Sequence, residues 1–433
     1  MKSLLKVISG TLLFTAMFWG LSGCKDSFIE EHTYTANVPI YMSWSDLRKS
    51  SDPQASKSIV EQGKIYIKDS LLFVNEKYKG IHIFDNSNPA SPQGRGFIDV
   101  PGNVDMAIKG NFLYADSYVD LVVFDISNIA DPKEVYRMKN IFPYTMPETT
   151  EPYPISLVDT TKGVIVGWKV ERITERSDQT GYRGRQVYYN KGINAFYSED
   201  ITSSGSGSSG GQIVGVGGSL ARFIIYSDQL YALNNNNLQM VDISNSTLPS
   251  AGKKINLMRM VETLFVENGK LFIGTQTGML IYDLANAANP SYVSEYNHFQ
   301  SCDPVVVSDG YAYVTMRSGN RCGNFNNLMD VVDLRVINNP QLVKSYPMSD
   351  PYGLGIDNKI LFVCDGSAGL KIYDVTDPLR IDEHLIKTFP DINATDAIPV
   401  GSSLIVLATD GIYQYDYSDL QNIVLLSRIP NGK

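Results

Sequence analysis

The sequence has few of the residues on which catalytic and metal sites most often depend. Its 433 residues include four histidines, His32, His82, His298 and His384, and four cysteines. No His-Glu-x-x-His motif is present, and no Gly-x-Ser-x-Gly elbow follows a predicted strand. Basic residues are also scarce, 37 against 46 acidic residues, for a formal charge of −9. Because nucleic-acid phosphates call for a basic stripe, this balance argues against a nucleic-acid partner.

Long apolar runs are confined to the amino terminus. After Cys24 no run reaches the ~18 apolar residues of a membrane-spanning helix. The first residues carry Lys2 and Lys6, then an apolar run from Val7 to Trp19, then small residues, which is the order of a secretory signal. We therefore expect residues 1–23 to be removed. The loss of two lysines would change the formal charge from −9 to −11.

An aspartate at the end of a strand-like segment recurs at a nearly fixed interval. The interval is 40 residues from Asp85 to Asp125, and then 41, 50, 41 and 42 residues from Asp242 to Asp416. Such a carboxylate can accept the backbone N–H groups just after it, so we interpret it as a turn builder and not as a catalytic group. A period near 40 with strand-like content is typical of a closed β-repeat array. The seven aspartates are Asp85, Asp125, Asp242, Asp283, Asp333, Asp374 and Asp416.

Each copy contains four short strands bounded by Gly, Asn, Asp or Pro. One copy predicts strands at 104–109, 112–116, 120–126 and 134–139. Four antiparallel strands in ~42 residues is the length of a propeller blade, and closure into a ring protects the edges of the sheets. The sequence therefore predicts an all-β fold, a β-propeller of four-stranded antiparallel blades.

The number of blades depends on one defective copy. The copies begin near residues 63, 103, 219, 261, 302, 351 and 393. Residues 145–218 hold two further strand-like segments, 155–159 and 164–173, with no turn aspartate after them. A Ser/Gly-rich stretch at 203–211 has linker composition. We favour eight blade positions, or seven if the defective copy merges with a neighbour. The predicted domains are a signal peptide at 1–23, a tether at 24–58, with residues 39–44 packing on the ring, and a propeller at 59–433 with an insertion at about 174–218.

Two motifs resemble known families. Leu21-Ser22-Gly23-Cys24 resembles the bacterial lipobox, whose cysteine is lipidated, and the segment from Val119 to Ser127 resembles the LVIVD repeat of bacterial β-propellers. Together they are similar to LVIVD-repeat lipoproteins of the Bacteroidetes type. This resemblance implies an exported protein, anchored through Cys24 to the cell envelope, with the outer membrane as the favoured location. It supplies no catalytic residues.

Export permits a disulfide among the remaining cysteines. Cys302 opens a predicted first strand, and Cys322 lies in the long loop after the second strand of the same copy. We predict a bridge between them, which would stabilise the fold by ~3 kcal/mol. Cys364 lies inside a second strand and is expected to be a buried free thiol.

The loops that lead into the first strands, and those that join second to third strands, meet at one end of a propeller. Loops held by a rigid ring are the usual binding sites. No cofactor is predicted, although the carboxylates could hold Ca²⁺, which takes six to eight oxygen ligands, and any metal site stays unknown. The candidate ligand-binding residues are Asp105, Asp116, Tyr118, Arg222, Glu262, His298, Asp303, Arg317, Tyr352, Asp365 and Asp396.

Three functions remain open. The favoured function is a membrane-anchored, non-enzymatic binding or scaffold module for an envelope protein, peptide or glycan. The alternative is a hydrolase or lyase acting on envelope polysaccharide, which needs two carboxylates, or a carboxylate and a histidine, in a deeper pocket with a perturbed pKa. Asp303, Asp396 and His298 are the candidates for that role. The third function is a structural spacer with a featureless face.

Overall fold

The computed structural model describes residues 30–49, 53–143, 146–147, 149, 151–177, 219, 221–297, 304–318 and 326–432. Within this part the chain forms two compact units. The smaller unit contains residues 30–39, 149, 151–158 and 168–177, and the larger unit contains the rest. No helix in the described ranges is long and apolar enough to cross a membrane.

Two long strands, β1 (Glu30–Met42) and β10 (Val164–Ser177), pair as a two-stranded sheet. In the smaller unit, buried Asn37 donates from Nδ2 to the carbonyl oxygens of Glu151 and Tyr153, at 2.9 and 2.7 Å. In the larger unit, β1 leads into the helix α1 (Trp44–Leu47), whose amino terminus is capped by the Ser43 side chain. Residues 30–42 and 44–47 of the predicted tether are therefore regular secondary structure.

The larger unit contains seven four-stranded antiparallel sheets among its described residues, each formed by four consecutive strands. The predicted all-β propeller is confirmed. The blades are, in chain order, β2 (Gln62–Lys68), β3 (Leu71–Glu76), β4 (Gly80–Asp85) and β5 (Gln93–Asp99); β6 (Met106–Lys109), β7 (Phe112–Ser117), β8 (Asp120–Asp125) and β9 (Lys133–Met138); β11 (Phe223–Tyr226), β12 (Gln229–Asn234), β13 (Asn237–Asp242) and β14 (Ser250–Asn256); β15 (Val261–Glu267), β16 (Lys270–Thr275), β17 (Gly278–Asp283) and β18 (Ser291–Asn297); β19 (Val305–Ser308), β20 (Tyr311–Met316), β21 (Leu328–Asp333) and β22 (Gln341–Pro347); β23 (Leu354–Asp357), β24 (Ile360–Cys364), β25 (Leu370–Asp374) and β26 (Leu385–Phe389); β27 (Ala394–Val400), β28 (Ser403–Ala408), β29 (Gly411–Asp416) and β30 (Val424–Pro430).

Short turns of two local kinds shape every blade. The turn between the first and second strands always contains a residue with positive φ, which tight hairpins require. These residues are Asp69, Gly110, Ser227, Asn268, Asp309, Asn358 and Gly401. After the third strand, each of the seven repeated aspartates accepts the backbone N–H two residues later, at 2.6 to 3.0 Å. The turn-builder interpretation of these aspartates is confirmed, and hydrogen bonds from the side chain or backbone of the residue two positions later hold the pKa of each aspartate below its usual value.

The blades form a ring whose first strands are neighbours in chain order, from β2 and β6 to β23 and β27. Blades 7 and 1 close the ring through side-chain contacts, because neither blade contains a strand from the other end of the chain. The amides of Asn86 and Gln414 exchange two hydrogen bonds, at 2.9 and 2.8 Å. Apolar residues of the two blades, including Ile65 and Ile405, share one buried cluster beneath this contact.

The favoured count of eight blades is wrong, and the allowed count of seven is confirmed. Val164 begins a strand as predicted, but that strand pairs with β1 and not with residues 155–159. Ile155 instead forms a parallel bridge with Asn37. The amino-terminal segment therefore supplies the strand partner that an eighth blade would have needed from its own repeat. Two 3-10 turns, Thr160–Lys162 and Ile381–Glu383, complete the described secondary structure.

Candidate functional site

The segments that lead into the first strands lie at the same end of the propeller as the loops that join second to third strands. In blade 1, the backbone N–H of Val60 donates to Glu76 Oε2 at 3.0 Å. In blade 6, the backbone N–H of Ser349 donates to Asp365 Oδ1 at 2.9 Å. We call this end the first-strand face. The opposite end, which carries the seven turn aspartates, is the turn face.

Five blades place a buried polar side chain at one equivalent position on the first-strand face. The strand registers align this position across the blades. In blade 1 it is the residue just before Ile65, which pairs with Val74, and in blade 2 it is the residue just before Met106, which pairs with Ala115. Blade 4 has Thr263 there. In blades 7, 1, 2 and 3, which follow one another around the ring, the side chains at this position are charged and alternate in sign. Each of these residues is at most 7% exposed. This charge arc consists of Asp396, Lys64, Asp105 and Arg222.

Asp105 connects three blades through its carboxylate. Its Oδ2 accepts Lys64 Nζ of blade 1 at 2.8 Å, and the backbone N–H groups of Arg222 and Phe223 of blade 3 at 2.7 and 3.0 Å. Burial lowers the pKa of Lys64 and the Arg222 charge adds to that effect, whereas Asp105 and Asp116 oppose it. A carboxylate with this many protein donors works as a structural link between blades.

Asp116, at the end of the second strand of blade 2, lies beside this link. Its Oδ1 accepts Asn103 Nδ2 and the backbone N–H of Val104, both at 2.8 Å, and the backbone N–H of Asp105 at 2.9 Å. The residue is 3% exposed. Burial raises the pKa of Asp116 to about 7, and the Asp105 charge adds to this rise, although the two backbone donors and Lys64 oppose it. The charge of Asp116 therefore changes near neutral pH.

The chain crosses the centre of this face just before blade 3 begins. Ser219 is fully buried, its Oγ accepts the backbone N–H of Leu354 of blade 6 at 3.0 Å, and it lies 3.3 Å from Asp396 Oδ1 of blade 7. Three residues later, Arg222 is bonded to Asp105 of blade 2. In a ring of seven, the boundary between blades 6 and 7 lies opposite blade 3. Ser219 and residues 221–222, which we call the crossing segment, therefore occupy the centre of the ring.

Asp365 is also committed to the protein. Its Oδ1 accepts the backbone N–H groups of Ser349 and Asp350 at 2.9 and 2.7 Å, and its Oδ2 accepts Lys371 Nζ at 2.5 Å. The side chain is fully buried. Asp365 therefore holds the segment that leads into blade 6, as Glu76 does in blade 1.

Accessible side chains lie around the rim of the first-strand face, on blades 4 to 6. Met258, between the fourth strand of blade 3 and the first strand of blade 4, is 85% exposed. Next to it, Arg259 binds Glu295 at 2.9 Å, and Glu262 is partly exposed. On blades 5 and 6, the Arg317 guanidinium lies 3.9 Å from the centre of the Tyr352 ring.

Tyr118 lies in a packed part of this face. It is 5% exposed and belongs to an apolar cluster with Leu47 of α1, Val119 and Val164. Burial raises the pKa of its hydroxyl to about 12. Met42 and Trp44 pack against the same cluster, so the segment around α1 covers blade 2 at the place where Tyr118 was expected to meet a ligand.

Several predicted residues lie outside the described ranges: Cys24, His298, Cys302, Asp303 and Cys322. The lipidation site and the Cys302–Cys322 bridge therefore stay predictions. Cys364 is a buried free thiol, as expected. His82 is 1% exposed and its Nε2 lies 2.9 Å from Glu76 Oε2.

The structure brings together Asp105, Asp116, Arg222 and Asp396 at the centre, and Arg317 with Tyr352 at the rim. Sequence reasoning missed Lys64, Asn103 and Ser219, which complete the central network. Aligning the first strands blade by blade would have found Lys64, since it occupies the position of Asp105. In the described ranges no group of three or more His, Cys, Asp or Glu side chains is placed to hold a metal ion.

Comparisons with known proteins agree with this architecture. A family model of the LVIVD repeat matches residues 102–139 and 224–255, which lie in blades 2 and 3, so the chain contains LVIVD repeats. No curated protein matches the chain. Among solved structures, a Lactobacillus plantarum protein is 10% identical, with 86% of this chain and 96% of that chain covered and a TM-score of 0.50. BamB from Moraxella catarrhalis is 9% identical, with 88% and 97% covered and a TM-score of 0.46. Sqt1 from Saccharomyces cerevisiae is 9% identical, with 92% and 89% covered and a TM-score of 0.48. At these identities the likeness concerns the fold alone.

Proposed function

We propose that the protein is a non-enzymatic binding or scaffold module of the bacterial cell envelope. It is held at a membrane, with the outer membrane favoured, through lipidated Cys24. It engages an envelope protein, peptide or glycan with the rim of its first-strand face. The sequence supports the anchor, and the arrangement of the first-strand face supports the mode of binding.

The closed centre of the first-strand face is the observation that carries this proposal. The crossing segment runs across the ring from Asp396 of blade 7 to Asp105 of blade 2, through the region where a propeller can hold a ligand on its axis. The carboxylates of Asp105, Asp116 and Asp365 each accept three or more donors from the protein. A general acid or base must reach its substrate within hydrogen-bond distance, and the bonds that these three buried carboxylates accept within the protein oppose such a role. Exposed Met and Arg side chains at the rim are of the types enriched in protein interfaces.

Two matched substitutions test which end of the propeller binds. The soluble chain that begins at residue 25 is presented to a glycan array and to purified envelope proteins. Met258→Asp places a charge on the first-strand face, and Val336→Asp places one on the turn face, where Val336 is 65% exposed. Both sites are exposed, so both variants should fold. We expect binding to be lost in Met258→Asp and kept in Val336→Asp; the reverse pattern would contradict the proposal.

The anchor needs a separate test in the full chain. Cys24→Ser should release the protein from the membrane fraction and abolish incorporation of labelled palmitate. Retention of both properties in the variant would refute anchoring through Cys24.

A further inference from the structure

Arg317 differs from other arginines at the first-strand face in its ion pairing. Arg48, Arg137, Arg259 and Arg428 each contact a carboxylate oxygen within 3.0 Å, on Asp120, Glu134, Glu295 and Asp410 respectively. For Arg317, the carboxylate oxygen within ion-pair range in the described ranges is Asp350 Oδ1, 3.9 Å from Nη1. That distance is too long for a direct hydrogen bond. The Arg317 side chain is nevertheless only 18% exposed.

The guanidinium of Arg317 is held in place by stacking. Its central carbon lies 3.9 Å from the centre of the Tyr352 ring, in the range of a cation–π contact. Its donors form a flat fork that matches the two oxygens of a carboxylate. A mostly buried charge normally has a hydrogen-bonded partner. Arg317 therefore offers a preformed donor fork that its own carboxylate neighbour does not fill.

The platform beneath Arg317 is rigid. Thr315 Oγ1 donates to the carbonyl oxygen of Tyr352 at 2.6 Å, and the backbone N–H of Tyr352 donates to the carbonyl oxygen of Cys364 at 2.7 Å. Behind it, Gly366 has a φ of +53°, and a Cβ there would lie 3.0 Å from Tyr352 Cε2 and 2.7 Å from Asp350 Oδ2. Tyr352 and Asp350 are therefore fixed by close backbone packing, and little ordering is required when a ligand binds.

We propose that Arg317, supported by Tyr352, binds the carboxylate of an acidic side chain on a protein or peptide partner. This inference rests on the proposed function and names the chemistry of its ligand. A peptide carboxylate fits better than an acidic sugar, because the face of Tyr352 on which a sugar ring would stack is covered by Arg317. A single carboxylate also fits better than a polyanion, since Asp350 lies close by and the whole chain has a formal charge of −9.

Peptide binding to four proteins tests the proposal. The probe is a fluorescent octapeptide with two glutamates in a Gly/Ser background. A control peptide has glutamines in place of the two glutamates. We expect the glutamate peptide to bind the wild type saturably. Its affinity for Arg317→Gln should be lower by roughly tenfold or more, since loss of one partner of a charged pair has at least this effect. Asp350→Asn should bind more tightly, because a competing carboxylate is removed. Arg428→Gln, on blade 7 and outside the rim of blades 4 to 6, is the matched control and should bind like the wild type.

Several results would overturn the proposal. They are absence of saturable binding of the glutamate peptide to the wild type, equal binding to Arg317→Gln, and equal binding of the glutamine peptide. Arg317-dependent binding of an oligogalacturonide without binding of the peptide would reassign the site to acidic glycans. Thermal melting of each variant establishes that it is folded.

The same variants separate this inference from the proposed function. If the partner found on the first-strand face is lost by Met258→Asp but kept by Arg317→Gln, the proposed function stands and the ligand assignment fails. If neither Met258→Asp nor Arg317→Gln weakens binding of the partner, the proposed face itself is wrong. Arg317→Lys keeps the charge without the flat fork, so a loss of affinity in this variant would show that geometry matters as well as charge.

Discussion

Replacement of Asp116 by asparagine should make the protein more stable at alkaline pH. In the Asp116→Asn variant, the side-chain amide oxygen can accept the same three bonds that Asp116 Oδ1 accepts from Asn103, Val104 and Asp105. The variant differs in having no carboxyl group that can ionise at this position. Burial, with a contribution from the Asp105 charge, raises the pKa of Asp116 to about 7, whereas an aspartate in the unfolded chain has a pKa of about 3.9.

The sign of the pH dependence follows from where the proton is bound. Between pH ~4 and pH ~7 the folded protein keeps a proton on Asp116 that the unfolded chain has lost, so stability falls as the pH rises. One pKa unit corresponds to about 1.4 kcal/mol. From pH 5 to the folded pKa of about 7, the wild type should therefore lose on the order of 3 kcal/mol that the Asp116→Asn variant keeps.

Urea unfolding of both proteins at several pH values from 5 to 9 measures this difference. Contributions from distant titrating groups are common to the two proteins, so the difference between their free energies of unfolding reports Asp116 together with its coupling to Lys64 and Asp105. The difference should grow in favour of the variant up to pH ~7 and then level off. A difference that is constant over the whole range would refute the reasoning, because Asp116 would then not carry a raised pKa.

Two further predictions concern the ring and the turns. Asn86→Ala removes both amide bonds between blades 1 and 7 and should destabilise the protein by about 1–3 kcal/mol, with little further loss in the double variant with Gln414→Ala, as measured by urea unfolding. Additive losses would show that the two amides are not coupled. Asp374→Ala removes the bond to the backbone N–H of Thr376 and should cost about 0.5–1 kcal/mol at pH 7. Because bonds from Thr376 lower the folded pKa of Asp374, this cost should be present above the unfolded pKa of about 3.9 and disappear as the pH falls through the folded pKa; a cost that persists in acid would contradict this origin.

Local signals in the sequence predicted the repeated parts of the fold well. The predictions 112–116 and 120–126 each differ by one residue from β7, Phe112–Ser117, and β8, Asp120–Asp125. Strand ends are set by turn residues such as Gly110, which has a φ of +58°, and these can be recognised without the rest of the structure. The first strands were less accurate. The predicted strand 104–109 is longer than the observed strand, Met106–Lys109. The backbone N–H groups of Val104 and Asp105 donate to the side chain of Asp116 and not to the backbone of the neighbouring strand.

Partners distant in sequence explain what was missed. The eighth blade was expected from residues 155–173, but β1 provides the strand partner of β10 from more than a hundred residues away. Ser219 has no sequence signal either, since its role depends on Leu354 and Asp396 reaching it across the ring. Such contacts follow from the closure of the propeller and not from a local pattern.

Ring closure and the position of the proposed binding site are connected in this protein. Blades 1 and 7 share no strand, so the ring depends on side-chain contacts such as Asn86 with Gln414. The crossing segment adds a second connection, since it joins Asp396 on one side of the ring to Asp105 on the other. The atoms that stabilise the ring in this way also fill its centre and occupy its buried charges. A ligand of the first-strand face must therefore be recognised by rim residues such as Arg317, whose substitution should alter binding and leave the closure of the ring intact.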